Sequence, residues 1–355
     1  MQTRLRQLVF ATSAVALAFA APASASDTLT VVSWGGQYTL SQVEAYHKPF
    51  MEQTGIRIIS EDYTGDVSTI VAQVRAGNVT WDVVDVELSD AIRLCDEGLL
   101  HELDWSMLPP APDGTPAEED FIAGALQDCA IATIVWSNIF AYDTTAFETS
   151  PTHIADFFDT EAFPGRRGVR KWPKGIMEMA LMADGVAPAD VYTVLATDEG
   201  LNQAFAVLDR IKDDIVWWEA GSQAPQLLAD GEVVMTHAYN GRIFGAQLEG
   251  APFEVVWSGQ VMDMDLWVIP QGTRNLEAAL EFVRFSTDTQ RLADQAEWIS
   301  YGPARQSSFP YVLEEMQPHM PTNPANMDLY IVSDAEFWAD RQEEINERFN
   351  AWLLN

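Results

Sequence analysis

From residue 28 onward the hydrophobic period of the chain switches at regular intervals, and this alternation limits the fold more than any other feature. "TLTVVSW" (28–34) reads as a strand, "LSQVEAYHKPFMEQTG" (40–55) as an amphipathic helix stopped by Gly55, and "IRIISEDY" (56–63) as the next strand. "VSTIVAQVRAG" (67–77), "TWDVVDV" (80–86) and "DAIRLCDEG" (90–98) continue as helix, strand and helix. The last of these strands is apolar enough to be buried on both faces. Short links between such elements predict an α/β fold on a parallel sheet.

The remainder extends the pattern. "LPPAPDGTPAEED" (108–120) reads as a Pro/Asp-rich surface loop, and "CAIATIVWSNIFAYD" (129–143) as a long β-rich run suited to crossing between lobes. Helices are expected near 152–159, 175–185, 199–213, 222–231 and 240–248, with strands at "IVWWEA", "VVMTHAY" and "FEVVWSG". "DLWVIPQGT" reads as a strand returning to the first lobe, followed by the helix "NLEAALEFVRFSTD" and the amphipathic tail "EFWADRQEEINERFNAWLL". About 330 residues exceed a usual single core, so two lobes are expected. The division read from the pattern is 26–133 with 266–322 as lobe 1, 134–265 as lobe 2, and 323–355 as a C-terminal helical segment.

Residues 1–25 carry the marks of a secretory signal: Arg4 and Arg6, the apolar stretch "LVFATSAVALAFAA", and small residues at Ala23-Ser24-Ala25 before Ser26. No later segment approaches ~20 consecutive apolar residues. The expected location is the periplasm. Losing Arg4 and Arg6 takes the formal charge from −33 to about −35. Such a field repels nucleic acid and anionic membrane and attracts cations, although solubility alone accounts for it equally simply. Cys95 and Cys129 are the only cysteines, and an oxidising compartment favours a single disulfide between them.

Catalytic signatures are absent. The five histidines are scattered, with no HExxH, and there is no GxSxG, P-loop or GxGxxG opening a helix. No metal or cofactor is expected. Binding is better supported, because α/β sheets take ligands beyond the carboxyl ends of their strands and two-lobed folds bind between lobes. That rule selects Trp34, Gly35, Gly36, Gln37 and Tyr38 after the first strand, and Asp85 to Ser89 after the third. It also selects Tyr239 and Asn240 after "VVMTHA", with Asp263 and Asp265 on the return. Aromatics with carboxylates suit an ammonium group.

The stretches "LTVVSWGGQY", "TGIRIISEDY", "WDVVDVELSDAIRLCDEGLLHELD", "VVMTHAYNGRIF" and "MDMDLWVIPQGTRNLEAALEFVRF" before "YGPARQSS" carry a resemblance covering almost all the mature chain. The chain resembles the polyamine-type (spermidine/putrescine) periplasmic substrate-binding proteins of ABC importers. The resemblance implies a two-lobed, type II-like Venus-flytrap fold with hinge crossovers. It also implies a small amine ligand, a permease partner in the inner membrane, and a monomer. Trp34 and Tyr239 match cage aromatics, and Asp265 matches the aspartate receiving a ligand amine. Asp263 stands where a second cage aromatic is usual, and Glu87 and Ser89 replace small hydroxyl and tyrosine side chains.

The largest departure is "RKWPKG", with Arg170, Lys171, Trp172 and Lys174, where polyamine binders place acidic residues for the far amine. A polyamine needs carboxylate at both ends, whereas basic residues at one end suit a zwitterion such as γ-aminobutyrate. A polyamine is therefore the inherited expectation and an ω-amino acid the alternative. Plainer readings stand beside these: "RKWPKG" as a solvated loop, Trp34 as core, Asp263 as solvent-facing, Glu87 as a helix cap, and Arg242 as a surface residue, with reach to an anionic ligand group as its alternative. Only one of Trp217 and Trp218 can face a cleft.

Overall fold

The computed structural model describes residues 28–354; the signal segment 1–25 lies outside them. The strands in chain order are β1 Thr28–Ser33, β2 Arg57–Asp62, β3 Val83–Glu87, β4 Leu126–Gln127, β5 Ala130–Asp143 and β6 Arg167–Arg170. There follow β7 Ile215–Trp218, β8 Met235–Tyr239, β9 Phe253–Val268, β10 Gly302–Pro303 and β11 Tyr330–Val332. They form a single sheet whose main path is β2-β1-β3-β9-β5-β8-β6-β7.

The outer trios β2-β1-β3 and β8-β6-β7 are parallel, as strand–helix alternation requires. Between them the long strands β5 and β9 run antiparallel to each other and to their outer neighbours β8 and β3. The sheet is therefore mixed rather than wholly parallel. "FEVVWSG" and "DLWVIPQGT" prove to be the two ends of the sixteen-residue β9. Within β9, Gly259 has φ 81° and falls in the stretch between Val256 and Val261 that the pairing with β5 skips.

Each end of the sheet carries its own apolar core. One gathers Leu29, Val31, Val84, Phe50, Trp267 and Phe282; the other gathers Phe140, Phe157, Met177, Leu208, Trp338 and Phe349. A smaller cluster of Tyr38, Trp136, Trp218, Tyr239 and Tyr301 lies between them. β5 and β9 contribute to both main cores. Register shifts in their pairing fall between Ala132 and Ile134 and between Asn138 and Phe140, the second where the chain passes from one core to the other.

Local sequence explains most elements. An α-helix Gly36–Gln42 continues through a π-turn Val43–His47 into Lys48–Thr54, and Gly55 ends it in a left-handed conformation. The helix Asp198–Asp209 starts on Thr197, whose hydroxyl accepts from the Gly200 amide. The predicted surface loop 108–120 is pinned instead: Leu108, Ala111 and Ala117 are buried, and Asp120 lies 3.4 Å from the fully buried Arg305. The Cys95–Cys129 disulfide is formed, tying the helix Leu88–Asp96 to the start of β5. The tail forms the helix Ala335–Leu353, which touches both ends of the sheet. Gln342 donates to Asp90 on one side, and Trp338 donates to Glu178 on the other.

Candidate functional site

Strand alternation and register bring the polar residues together. Asp85 and Glu87 are two apart on β3, Glu87 pairs with Asp265 on β9, and Asp263 pairs with Trp136 on β5. Asn138, two residues beyond Trp136, pairs with Tyr239 on β8. Directly paired residues share a face, so these side chains emerge on the same side where the two halves meet. There Glu87, Asp265, Trp136 and Tyr239 border a cavity with about 430 Å3 of empty space, open solvent included.

One wall follows β1 and β2. Trp34 packs against Tyr63 with ring centroids 5.1 Å apart, and Trp34 Nε1 donates to Asp85 Oδ1 at 3.3 Å. Tyr38 donates its hydroxyl to Asp85 Oδ2 at 2.9 Å, and the Gln42 amide donates to the same oxygen. Burial pushes the Asp85 carboxyl up to about 7, against the opposing pull of these donors. Asp85 is thus the bracket that fixes the aromatic wall.

The floor is Asp265. Its Oδ1 accepts from Trp136 Nε1 at 2.7 Å. Burial first, then the neighbouring carboxylates Asp85 and Glu87, hold its pKa well above the usual range, and among the described residues no cation is ion-paired to it. A buried carboxylate without a counter-ion is costly, and a ligand ammonium removes that cost.

The opposite wall is basic. Arg170, at the end of β6, places its guanidinium 5.6 Å from the Tyr239 ring centroid and 5.8 Å from that of Trp172. Burial alone would discharge it, but Tyr239 and Glu87, the latter 3.5 Å away, hold it charged. Arg242, in the first turn of the helix Asn240–Leu248, is buried and not a surface residue. Its Nη1 donates to the Gly35 carbonyl at 2.7 Å and its Nη2 to the Trp34 carbonyl at 3.2 Å. Its Nε and the Tyr239 hydroxyl are buried, line the same cavity, and have no hydrogen-bond partner among the described residues. Such orphaned donors mark where a ligand's acceptor belongs.

Of the sequence candidates, Trp34, Tyr38, Glu87, Arg170, Tyr239 and Asp265 line the cavity. Gly35 and Gly36 do not line it: both have positive φ, and a Cβ on Gly36 would stand 2.9 Å from Arg242 Nη1. The others lie elsewhere. Lys174 is buried, 2.9 Å from Glu87 and 2.6 Å from Asp263, and donates to Ser89 at 3.0 Å. Asp263 and Ser89 are therefore committed to Lys174, and Asp263 is buried rather than solvent-facing. Asn240 is structural, accepting from the Ser137 amide and donating to the Ser300 carbonyl. Lys171 is exposed and Trp172 sits beside Arg170 at the rim. Gln37 packs outward against Gly245.

Glu87 occupies the N-cap position of the helix Leu88–Asp96, but its side chain makes no capping bond and turns to Lys174 and Arg170. Neither Trp217 nor Trp218 lines the cavity. Trp217 packs on Phe349, and Trp218 donates to the His237 carbonyl. Sequence reasoning missed Tyr63, Trp136 and Tyr301, and named a ligand-facing Arg242 only as the alternative to a surface residue. The strand-end rule, applied to β2, selects Tyr63; Trp136 sits mid-strand and Tyr301 on a distant loop, where no local signal exists. Among the described residues no group of three or more His, Cys, Asp or Glu side chains is arranged to hold a metal ion.

Comparison with known proteins agrees with this geometry. The family model for bacterial extracellular solute-binding proteins matches residues 45–322. The chain is 45% identical over 337 residues to the gamma-aminobutyric acid-binding protein of Pseudomonas aeruginosa, covering 95% of this chain and 94% of the relative. It is 24% identical over 323 residues to the putrescine/cadaverine-binding protein of the same species, covering 86% and 87%. A solved GABA receptor superposes with a TM-score of 0.80 at 33% identity, covering 92% of this chain and 97% of that one. The polyamine resemblance therefore holds at family level, while the more similar of these relatives bear the name of the alternative ligand. A two-lobed α/β scaffold carrying a polar cleft where its halves meet, matched across this length, places the chain in the family of bacterial extracellular solute-binding proteins.

Proposed function

We propose that this protein captures a small ω-amino acid of the γ-aminobutyrate type in the periplasm and passes it to an ABC permease. One observation carries the reading. A buried carboxylate without a counter-ion, Asp265, faces the same cavity as two guanidinium groups, Arg170 and Arg242, with the unpartnered Tyr239 hydroxyl beside them. Unlike ends select a zwitterion: ammonium at Asp265 against Trp34 and Trp136, carboxylate at Arg170, Arg242 and Tyr239. A diamine would put its second ammonium against two like charges. The names borne by the 45% identical relative and by the solved receptor support the same ligand class.

The mechanism is hinge closure without chemistry. The first lobe (26–133 with 266–322) and the second (134–265) rotate about β5 and β9, the segment 323–355 packs across both, and ligand contacts to each side favour the closed form. The monomer, exported by residues 1–25, then docks on its permease. A thermal-shift screen of residues 26–355 tests the reading, since a ligand that binds only the native state raises its melting temperature. γ-Aminobutyrate should raise it and putrescine should not; the reverse result rejects the ω-amino acid reading.

A further inference from the structure

The cavity explains Arg170 and Arg242 but leaves Lys174 unused. Its ammonium lies 2.6 Å from Asp263 Oδ2 and 2.9 Å from Glu87 Oε2, with Ser89 Oγ at 3.0 Å. All four residues are buried, and Glu87 itself lines the ligand cavity. Two carboxylates and a hydroxyl around one primary ammonium are the surroundings that an alkylammonium ligand would need. The lysine stem reaches them from the Pro173–Gly175 turn. There Gly175 has φ 88°, and a Cβ on it would stand 2.7 Å from the Asn138 amide, so the turn is held close against β5.

We infer that Lys174 is a tethered ammonium occupying a second amine subsite beside the ligand cavity, and that it sets specificity for ligands with one ammonium over diamines. The inference rests on the ω-amino acid reading for the identity of the preferred ligand, but the subsite itself stands on the geometry alone. With Lys174 between them and Arg170 3.5 Å from Glu87, the two carboxylates are matched by two cations, and Asp265 remains the carboxylate that can anchor an incoming amine. Burial would discharge the lysine, yet Asp263 and Glu87 more than restore its proton, so the ammonium is permanent. Without it, two buried carboxylates would face only Arg170, which lies 3.5 Å from Glu87. The vacated space would then be a cation site continuous with the ligand cavity through Glu87.

The experiment is amine complementation of Lys174→Ala. Propylammonium at millimolar concentration should raise the melting temperature of Lys174→Ala by several degrees and leave the native protein unmoved. Putrescine affinity by calorimetry should rise at least tenfold over the native protein. If Lys174→Ala does not fold alone, refolding yield is read with and without propylammonium; a higher yield with the amine supports the subsite, and equal yields overturn it. A Glu87→Gln/Asp263→Asn/Lys174→Ala variant lacks the carboxylates and should lose the response to amine. A folded Lys174→Ala that responds to neither amine overturns the inference, as does an unchanged response in the triple variant. The γ-aminobutyrate shift of the native protein is read in parallel. Its absence counts against the ω-amino acid reading and leaves the complementation result intact.

Discussion

Arg242 Nη1 donates to the carbonyl of Gly35 at 2.7 Å, joining the first turn after β8 to the first turn after β1 across 207 positions of sequence. Gly36 makes this approach possible, because its backbone has φ 58° and a Cβ there would stand 2.9 Å from the same nitrogen. Gly36→Ala therefore combines a left-handed backbone with a clash. It should cost about 1–2 kcal/mol from the backbone alone and weaken ligand binding as Arg242 is displaced. Urea denaturation and calorimetry check both effects; native-like values in both would remove Arg242 from the binding wall.

Tyr239→Phe separates binding from folding. The hydroxyl has no partner among the described residues, so its loss should leave stability unchanged or raise it by up to about 1 kcal/mol. Ligand affinity should fall roughly tenfold or more, the expected scale for a hydrogen bond to a charged group. Equal affinity in the variant would show that the hydroxyl does not meet the ligand.

Asp265 should report ligand binding through protons. Burial and the nearby Asp85 and Glu87 raise its folded pKa, so the free protein holds a proton there to higher pH than an exposed carboxyl does. An ammonium ligand favours the carboxylate, so binding should release a proton, and affinity should fall as pH drops toward the acid side of that raised pKa. Calorimetry in buffers of different ionisation enthalpy measures the release directly. Asp265→Asn should abolish the proton signal and lower affinity at least a hundredfold. Buffer-independent heats in the native protein would contradict the assignment.

Acid should destabilise the fold through a buried histidine. His47 packs against Phe282, and burial lowers its pKa from 6.5 to about 3. Between these values the unfolded chain binds the proton and the folded chain does not, so the contribution of His47 is intact above pH 6.5 and is lost as pH falls through the window. At pH 5 that loss is about 2 kcal/mol. His47→Leu, which does not titrate, should gain this amount on the native protein between pH 7 and pH 5 in urea titrations. A gap that stays constant with pH would place the sensitivity elsewhere.

The wall residues were legible in sequence for a physical reason. Trp34, Tyr38, Glu87 and Tyr239 stand at or beside strand ends, where the strand-end rule locates ligands without tertiary information, whereas Asp265, inside β9, was marked by the family resemblance. Alternating periods likewise gave the strand–helix order, because local burial sets them. What stayed hidden depends on contacts between distant segments. Lys174 looked like part of a basic ligand-facing stretch because its partners Glu87 and Asp263 are 87 and 89 positions away. Arg242 looked like a surface residue because the Gly35 carbonyl that buries it lies on another element. Trp136 looked like one apolar residue in a strand until the β5–β9 register set it beside Asp265. Sequence shows the charge of each residue, whereas the pairing that leaves Arg170 at the cavity and draws Lys174 away from it exists only in the folded chain.

Calorimetric titration of residues 26–355 with γ-aminobutyrate, putrescine and butyrate tests the central claim most directly. These three linear ligands have four carbons and differ in which ends carry charge. Recognition by Asp265 at one end and by Arg170 and Arg242 at the other predicts saturable 1:1 binding of γ-aminobutyrate and at least hundredfold weaker binding of the other two. Putrescine binding as tightly as γ-aminobutyrate, or more tightly, would contradict the account, because the basic wall would then have no ligand carboxylate to recognise.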